Sequence, residues 1–423
     1  MKTRPGYMFL IGLLLWAIKP DARASTIVVH PSLRIKSIEE ALRIAKTGDT
    51  ILVRSFRYSV ENLLIDKAIV LIGEHFPILD GGMKGDVLII KANHVVIRGF
   101  HICNTNKGSL KNYAGIRCDQ ASDILIDNNR LNNTLFPIYL PRAHRCIIKN
   151  NIITGNSGSI ESGSGIYLWY ASDILVQNNS ISGQRDGIYL EFSKESTITH
   201  NVSQNNYRYG LHFMFSDKNI YSDNIFRNNG SGVAVMYSKE ISMLRNTFDH
   251  NWGPAAYGLL LKEINDSRVE GNIFNYNTTG IFMESCSRNL FLKNKFSENG
   301  WAINFLADCV GDQFNRNDFI GNTFDISTNG APEENTFNEN YWDKYDGYDL
   351  NRDGLGDIPY YPVSLYAKII DNVPYAIILL HSFIVDLFDR AEHSVPTLVP
   401  ISIVDVRPLM KPAAIYVNPD RKE

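Results

Sequence analysis

The sequence predicts an all-β chain folded as a right-handed parallel β-helix, a solenoid with a short N-terminal capping helix and a C-terminal extension. Three observations predict it. Gly-led apolar segments recur at Gly165-Ile-Tyr-Leu168, Gly187-Ile-Tyr-Leu190, Gly210-Leu-His-Phe213, Gly232-Val-Ala-Val235, Gly258-Leu-Leu-Leu261 and Gly280-Ile-Phe-Met283, in steps of 22, 23, 22, 26 and 22 residues. Asparagines keep the same step at Asn129, Asn151, Asn179, Asn201, Asn224, Asn246, Asn272, Asn294 and Asn317. Between these markers lie apolar alternations of three to five residues broken by Asn, Gly, Ser and Asp, the pattern of three short strands joined by turns. A helical repeat needs longer runs, and a leucine-rich repeat needs a leucine signature where Ile, Val, Phe and Asn dominate.

One such turn cannot bury its own apolar face. Stacking turns about 4.8 Å apart pairs every strand and builds a continuous core. Asn at a repeated bend tolerates the left-handed conformation, and its amide bonds to the Asn above and below, so the asparagine row reads as structural.

The elements follow in order. Lys2 and Arg4, the apolar run Tyr7 to Ile18 and Ala22-Arg23-Ala24 have the layout of a secretory leader, residues 1–24, cleaved near Ala24. The run is about 12 residues, short of the roughly 20 that span a bilayer. Residues 25–49 form an N-terminal cap. In it Ser37-Ile-Glu-Glu40 is a capping box and Gly48 a stop, which predicts a helix over 37–46. Strands are expected at Thr50 to Arg54, Ala68 to Gly73, Val87 to Lys91 and Val95 to Phe100, with the β-helix over residues 50–330. An Asp/Gly-rich region, 331–362, and an extension, 363–423, follow. The apolar stretch Tyr375 to Phe388 is expected to pack as a helix over the C-terminal end or to dock to a partner.

The net charge of −3 leaves no basic excess for phosphates, which argues against nucleic acid as a partner. Five cysteines are too few for a disulfide scaffold. Cys286 and Cys309 each precede a ladder asparagine by eight residues, so they stack in neighbouring turns as buried thiols, a disulfide or, less simply, a soft-metal pair.

In each Gly-led strand, alternation turns the residues two and four after Gly outward. The outward set comprises Tyr167, Trp169, Tyr189, Glu191, His212, Met214, Met236, Lys262 and Glu284, flanked by Arg185-Asp186 and Arg208-Tyr209. Such a flank is a contact surface covered by loops or a partner. It also admits a metal: His212 and Met214 share a strand and Met236 lies one turn on, so an imidazole and two thioethers suited to Cu(I) can converge. A second constellation, Asp349, Asn351, Asp353 and Asp357 around Gly354, resembles the first nine positions of an EF-hand loop and suits Ca²⁺, though Tyr360 stands where the bidentate Glu belongs. For polysaccharide chemistry the candidate acids are Asp119, Asp123, Asp173, Asp186 and Glu191. Asp123 and Asp173 follow Ala-Ser at one repeat position and mark a turn, while Asp186 and Glu191 could make an acid/base pair.

These residues resemble a known family, the periplasmic NosD-type accessory proteins of nitrous oxide reductase maturation. The likeness lies in Ser37-Ile-Glu-Glu-Ala41, Gly48-Asp49-Thr50, Leu79-Asp-Gly-Gly82, Arg185-Asp-Gly-Ile-Tyr189, Arg208-Tyr-Gly-Leu-His212, Tyr257-Gly-Leu-Leu-Leu-Lys262, Asn340-Tyr-Trp-Asp343 and Asp405-Val-Arg-Pro-Leu-Met410. The first three and Asn340-Tyr-Trp are shared with many β-helix surface proteins. The resemblance implies a periplasmic protein, not itself an enzyme, that helps assemble the copper-sulfur cluster of nitrous oxide reductase. Its implied partners are an ABC transporter ATPase/permease complex, reached through the membrane subunit, nitrous oxide reductase itself and a copper chaperone. It also fits docking of Tyr375 to Phe388 against that membrane subunit. Two other classes compete: a carbohydrate-binding or polysaccharide-active β-helix, lyase or hydrolase, and a purely structural surface protein.

Overall fold

One turn shows how the repeat works. Leu125–Asp127, Arg130–Asn132 and Phe136–Pro141 are three strands whose inward residues Ile126, Leu131, Ile138 and Leu140 are buried. The computed structural model describes residues 24–108, 111–155, 163–330, 334–380, 382, 383, 387, 388 and 403–413. The leader read at residues 1–24 therefore lies almost wholly outside the described residues, as do His381, Asp386 and residues 389–402.

Stacked turns make three parallel sheets. The first has 14 strands from Thr26–Val29 to Thr336–Asn338, the second 13 from Arg57–Ser59 to Tyr341–Trp342, and the third 12 from Leu63–Ile65 to Phe324–Thr328. The ladder thus starts before residue 50 and runs past 330. Thr26–Val29 already pairs in register with Thr50–Val53, but the intervening helix breaks the 22-residue step that marks later turns.

Interior rows match residue to residue. In the N-terminal half they are aliphatic, as with Ile97, Ile126, Ile148 and Val176; farther on they become aromatic. Phe248, Phe274, Phe296, Phe319 and Trp342 stack at centroid distances of 4.5, 4.8, 5.0 and 4.1 Å, each pair contributing roughly 0.5–1.5 kcal/mol beyond area burial. The recurring glycine opens the third-sheet strand because backbone approaches it there. A Cβ on Gly187 would stand 2.5 Å from the Gly210 carbonyl oxygen, and one on Gly210 2.7 Å from that of Gly232.

The asparagine row forms a buried ladder between the first and second sheets. Asn224 donates its backbone N–H (3.1 Å) and Nδ2 (3.0 Å) to Asn246 Oδ1, and Asn246 does the same to Asn272 at 2.8 and 3.1 Å. The left-handed residue is not the ladder asparagine, as expected, but the one before it: Asn128, Asn150 and Asn178 have φ of 52°, 55° and 55°. The ladder residue needs its amide turned inward, so the bend falls one position earlier. Two further polar rows were not read from sequence. Asn206, Asn229, Asn251, Asn277, Asn299 and Asn322 repeat the same bonding between the second and third sheets, and Ser267, Asn289, Asp312 and Asn335 continue it after the third.

Both ends are covered. The helix Ile38–Ile44 starts at Ser37, whose Oγ accepts from the Glu40 N–H, and buries Ile38 and Ala41 on the core. The box closes one residue early, Glu40 accepting from the Lys36 N–H at 3.1 Å. At the other end Asp405 is the last rung of the main ladder, its carboxylate accepting from the Asn340 N–H, Asn340 Nδ2 and Trp342 Nε1 at 2.9, 3.0 and 3.2 Å. One C-terminal helix is Leu365–Asn372, upstream of the Tyr375 to Phe388 stretch; the 3₁₀ turn Pro374–Leu379 leads into that stretch, in which the described residues Phe383, Leu387 and Phe388 are helical. Ser364 caps the start of Leu365–Asn372 through the Tyr366 N–H. That helix packs Tyr366, Ala367 and Ile370 beside Phe324 and Trp301 on the flank of the third sheet. No described helix is long and apolar enough to cross a membrane.

A buried aromatic, imidazole and thioether column

The outer face of the third sheet carries the predicted site residues in two columns. In one, in-register pairing stacks Tyr139, Tyr167, Tyr189 and His212, with ring centroids 4.9, 5.0 and 4.6 Å apart. Sequence reading began this stack at Tyr167 because Pro137 replaces the marker glycine in the preceding turn; Arg117 lies over Tyr139 at 5.0 Å and closes it. These side chains point outward yet are buried, His212 being 5% exposed. Alternation gives direction, and the stacking supplies the burial that alternation cannot show.

The second column runs Trp169, Glu191, Met214, Met236, Lys262 and Glu284, neighbours in register. Met214 and Met236 are therefore adjacent rungs, and Met214 Sδ accepts from the Tyr189 hydroxyl at 3.6 Å. The Tyr167 hydroxyl donates to the Glu191 carboxylate. Lys262 and Glu284 form an ion pair at 2.8 Å beyond Met236.

Next to His212, buried Asp186 is gripped by Arg208 through Nε and Nη2 at 2.8 and 2.7 Å and by Arg185 at 3.3 Å. Arg208 also faces His212 Nδ1 at 3.3 Å. Guanidinium only donates, so Nδ1 accepts and the neutral ring carries its proton on Nε2. That Nε2 is buried and has no hydrogen-bond partner. Beyond the ring the next rung supplies only Ala234.

Burial is the main reason His212 is pushed down to about 4, with Arg208 and Arg185 adding to it against Asp186. Burial, and then Glu191, raise the phenols of Tyr167 and Tyr189 well above their ordinary value. The stability consequence has a definite sign. An unfolded histidine titrates near 6.5 and the folded one about 4, so the unfolded chain takes up more protons between those values. Stability contributed by neutral His212 is complete above about 6.5 and lost as the pH falls towards 4, by about 3 kcal/mol in all. Urea unfolding at several pH values across that window should show a shallower dependence for His212→Phe than for the native chain; equal slopes would refute it.

Elsewhere the loop Asp349 to Asp357 spends its carboxylates on its own backbone. Asp349 accepts from the Arg352, Asp353 and Gly354 N–H groups at 2.6, 3.2 and 2.9 Å, and Asp357 from that of Leu350 at 2.7 Å. Asn351 accepts from the Asp353 N–H. Among the described residues no three His, Cys, Asp or Glu side chains converge to hold a metal. All five cysteines are buried free thiols, Cys286 raised by its neighbour Cys309 and by burial. One column escaped sequence reading. Five residues after each marker glycine, Tyr170, Phe192, Phe215 and Tyr237 stack along the edge of the third sheet.

Fold and site define a parallel β-helix solenoid with a soft-donor column on one sheet. Within that class the chain is similar to NosD proteins: residues 158–347 match the family described as "Periplasmic copper-binding protein (NosD)". It is 25% identical over 196 residues to the probable ABC transporter binding protein NosD of Stutzerimonas stutzeri, covering 42% of this chain and 44% of that one. It is 28% identical over 180 residues to the protein of the same name from Pseudomonas aeruginosa, covering 38% and 42%. These matches thus span less than half the length of either relative. The surface adhesin PfbA of Streptococcus pneumoniae shares the fold, with a TM-score of 0.53, 10% identity and 73% and 88% of the two chains covered.

Proposed function

We propose that this chain is a periplasmic accessory protein that holds Cu(I) as cargo for the copper-sulfur cluster of nitrous oxide reductase, working with an ABC transporter and performing no turnover of its own. The observation that carries the reading is His212 Nε2, buried without a partner on the strand that carries Met214, which pairs in register with Met236 on the next strand. A neutral imidazole and two thioethers are soft ligands that suit Cu(I). The description of the matched family as copper-binding and the relatives' names as ABC transporter binding proteins support it.

This chain's residues each have a part. Tyr189 orients Met214 through its hydroxyl. Arg208, fixed by Asp186, holds the imidazole. Binding through Nε2 moves the ring proton to Nδ1, where it would face the Arg208 donor, so Arg208 gives up its 3.3 Å contact and turns from the ring when the ion enters. The exposed Val373, Tyr375, Ile378 and Leu379 support docking of the extension against the transporter's membrane subunit. The polysaccharide reading has less support, because Asp186 is clamped by Arg208 and Glu191 takes the Tyr167 hydroxyl. Nitrous oxide reductase purified from cells lacking this protein should keep its electron-transfer copper and lack its catalytic cluster. A fully loaded, active enzyme would refute the proposal.

A further inference from the structure

Through the middle turns of the third sheet, the residue five past the marker position is left-handed. Arg142, Tyr170, Phe192, Phe215, Tyr237 and Glu263 occupy successive turns at φ of 54°, 49°, 50°, 52°, 54° and 52°. Bulky aromatic residues seldom adopt this conformation, and at most other left-handed bends of this solenoid the residue is Asn, Asp, Arg, Glu, Lys, His or Gly. Here four aromatics follow one another with ring centroids 4.7, 5.2 and 5.0 Å apart and interplanar angles of 18°, 6° and 15°. Their faces are spent on each other and their rims meet solvent, with Tyr170, Phe192 and Phe215 51%, 39% and 44% exposed. A sugar ring needs a free aromatic face, which the middle of this row does not offer. Rims suit a packed apolar contact.

The order of the row is self-complementary: Arg, Tyr, Phe, Phe, Tyr, Glu. A two-fold axis lying in the contact plane between Phe192 and Phe215 sets two copies antiparallel. Arg142 then meets Glu263 of the second copy, Tyr170 meets Tyr237, and Phe192 meets Phe215. The same operation sets exposed Lys194, two residues past Phe192, against Asp217, two past Phe215. On the other flank it places Trp169 against Met236, a sulfur-aromatic contact. A parallel arrangement would instead oppose Arg142 to Arg142, and like charges facing one another are unfavourable.

We infer that this edge is the isologous interface of a homodimer. A C2 contact requires one patch complementary to itself, which this row provides in shape and in charge. Six rungs span about 24 Å, and with one column on each side the buried surface totals on the order of 1,000 Å², the low end for a specific interface. Weak, transient associations sit at this low end of interface size, so dimerisation is expected at micromolar concentrations.

Sedimentation velocity of the full-length exported chain, from about 1 to about 200 µM, tests it. The native protein should pass from monomer to dimer within that range. Arg142→Glu alone, or Glu263→Arg alone, should weaken dimerisation at least about tenfold, with unchanged circular dichroism showing that each remains folded. Combining R142E with E263R should restore it. A protein monomeric throughout, single reversals that leave association unchanged, or a charge swap that fails to restore it would each overturn the inference.

Discussion

Replacing Asn246 by alanine should lower the unfolding free energy by about 3–5 kcal/mol, among the largest losses for any single side chain here. The reason is that Asn246 is wholly buried and bonded on every side. Its Oδ1 accepts from the Asn224 backbone N–H and Nδ2, and its Nδ2 donates to the Tyr221 carbonyl and to Asn272 Oδ1. Alanine removes one partner from each bond and leaves two buried donors and a carbonyl unsatisfied. Loss of an unmade bond in the interior costs the full desolvation of the group, whereas a bond exchanged with water costs little. One residue earlier, Arg245 pairs with Asp223 through Nε and Nη2 at 2.9 and 2.7 Å, half in solvent. Arg245→Ala should therefore cost less than about 1 kcal/mol. Urea unfolding of both variants decides it; similar losses for the two would show that the ladder is not what holds successive turns together.

Loss of Cu(I) binding is the second large effect. Met214→Leu and His212→Phe should each lower Cu(I) affinity at least about 100-fold in competition with a Cu(I) chelator, a loss of about 3 kcal/mol or more. Leucine keeps the volume of methionine and phenylalanine keeps the stack on Tyr189, so packing is nearly preserved while the donor atom is gone. The control is Met243→Leu. Met243 is fully buried inside the solenoid, faces away from His212 and should leave affinity unchanged. Equal affinity for all three variants would remove the column from any copper role.

The fold was legible because its two strongest constraints each restrict one residue type. Glycine is favoured in most turns where the next turn's carbonyl lies against the third-sheet strand, and asparagine carries an N–H donor and a carbonyl acceptor on one short planar side chain at rung after rung. Of the other two polar rows, Asn206 to Asn322 keeps the same step five residues after the main ladder and was legible in the sequence, whereas the row that mixes Ser267 with Asn289 and Asp312 leaves no single-letter period. Asp405 completes the main ladder from 65 residues beyond Asn340, a contact no local pattern announces. At the site, alternation located Tyr167, Tyr189, His212, Met214 and Met236 on one face and in adjacent rungs. It could not show that the column is buried, that Arg208 reaches both Asp186 and His212, or that Tyr189 bonds Met214, because these depend on how long side chains lie across neighbouring turns. The aromatic edge row was present in the sequence at a fixed offset from each glycine. It went unread because left-handed bends are usually polar and the alternation rule stops at the strand's end.

X-ray absorption at the copper edge of the full-length protein loaded with Cu(I) tests the central claim most directly. Two sulfur neighbours and one nitrogen neighbour are expected, with one sulfur lost in Met236→Leu and the nitrogen lost in His212→Phe. A copper ion bound by sulfur alone, a first shell of nitrogen and oxygen only, or a protein that retains no copper would contradict it.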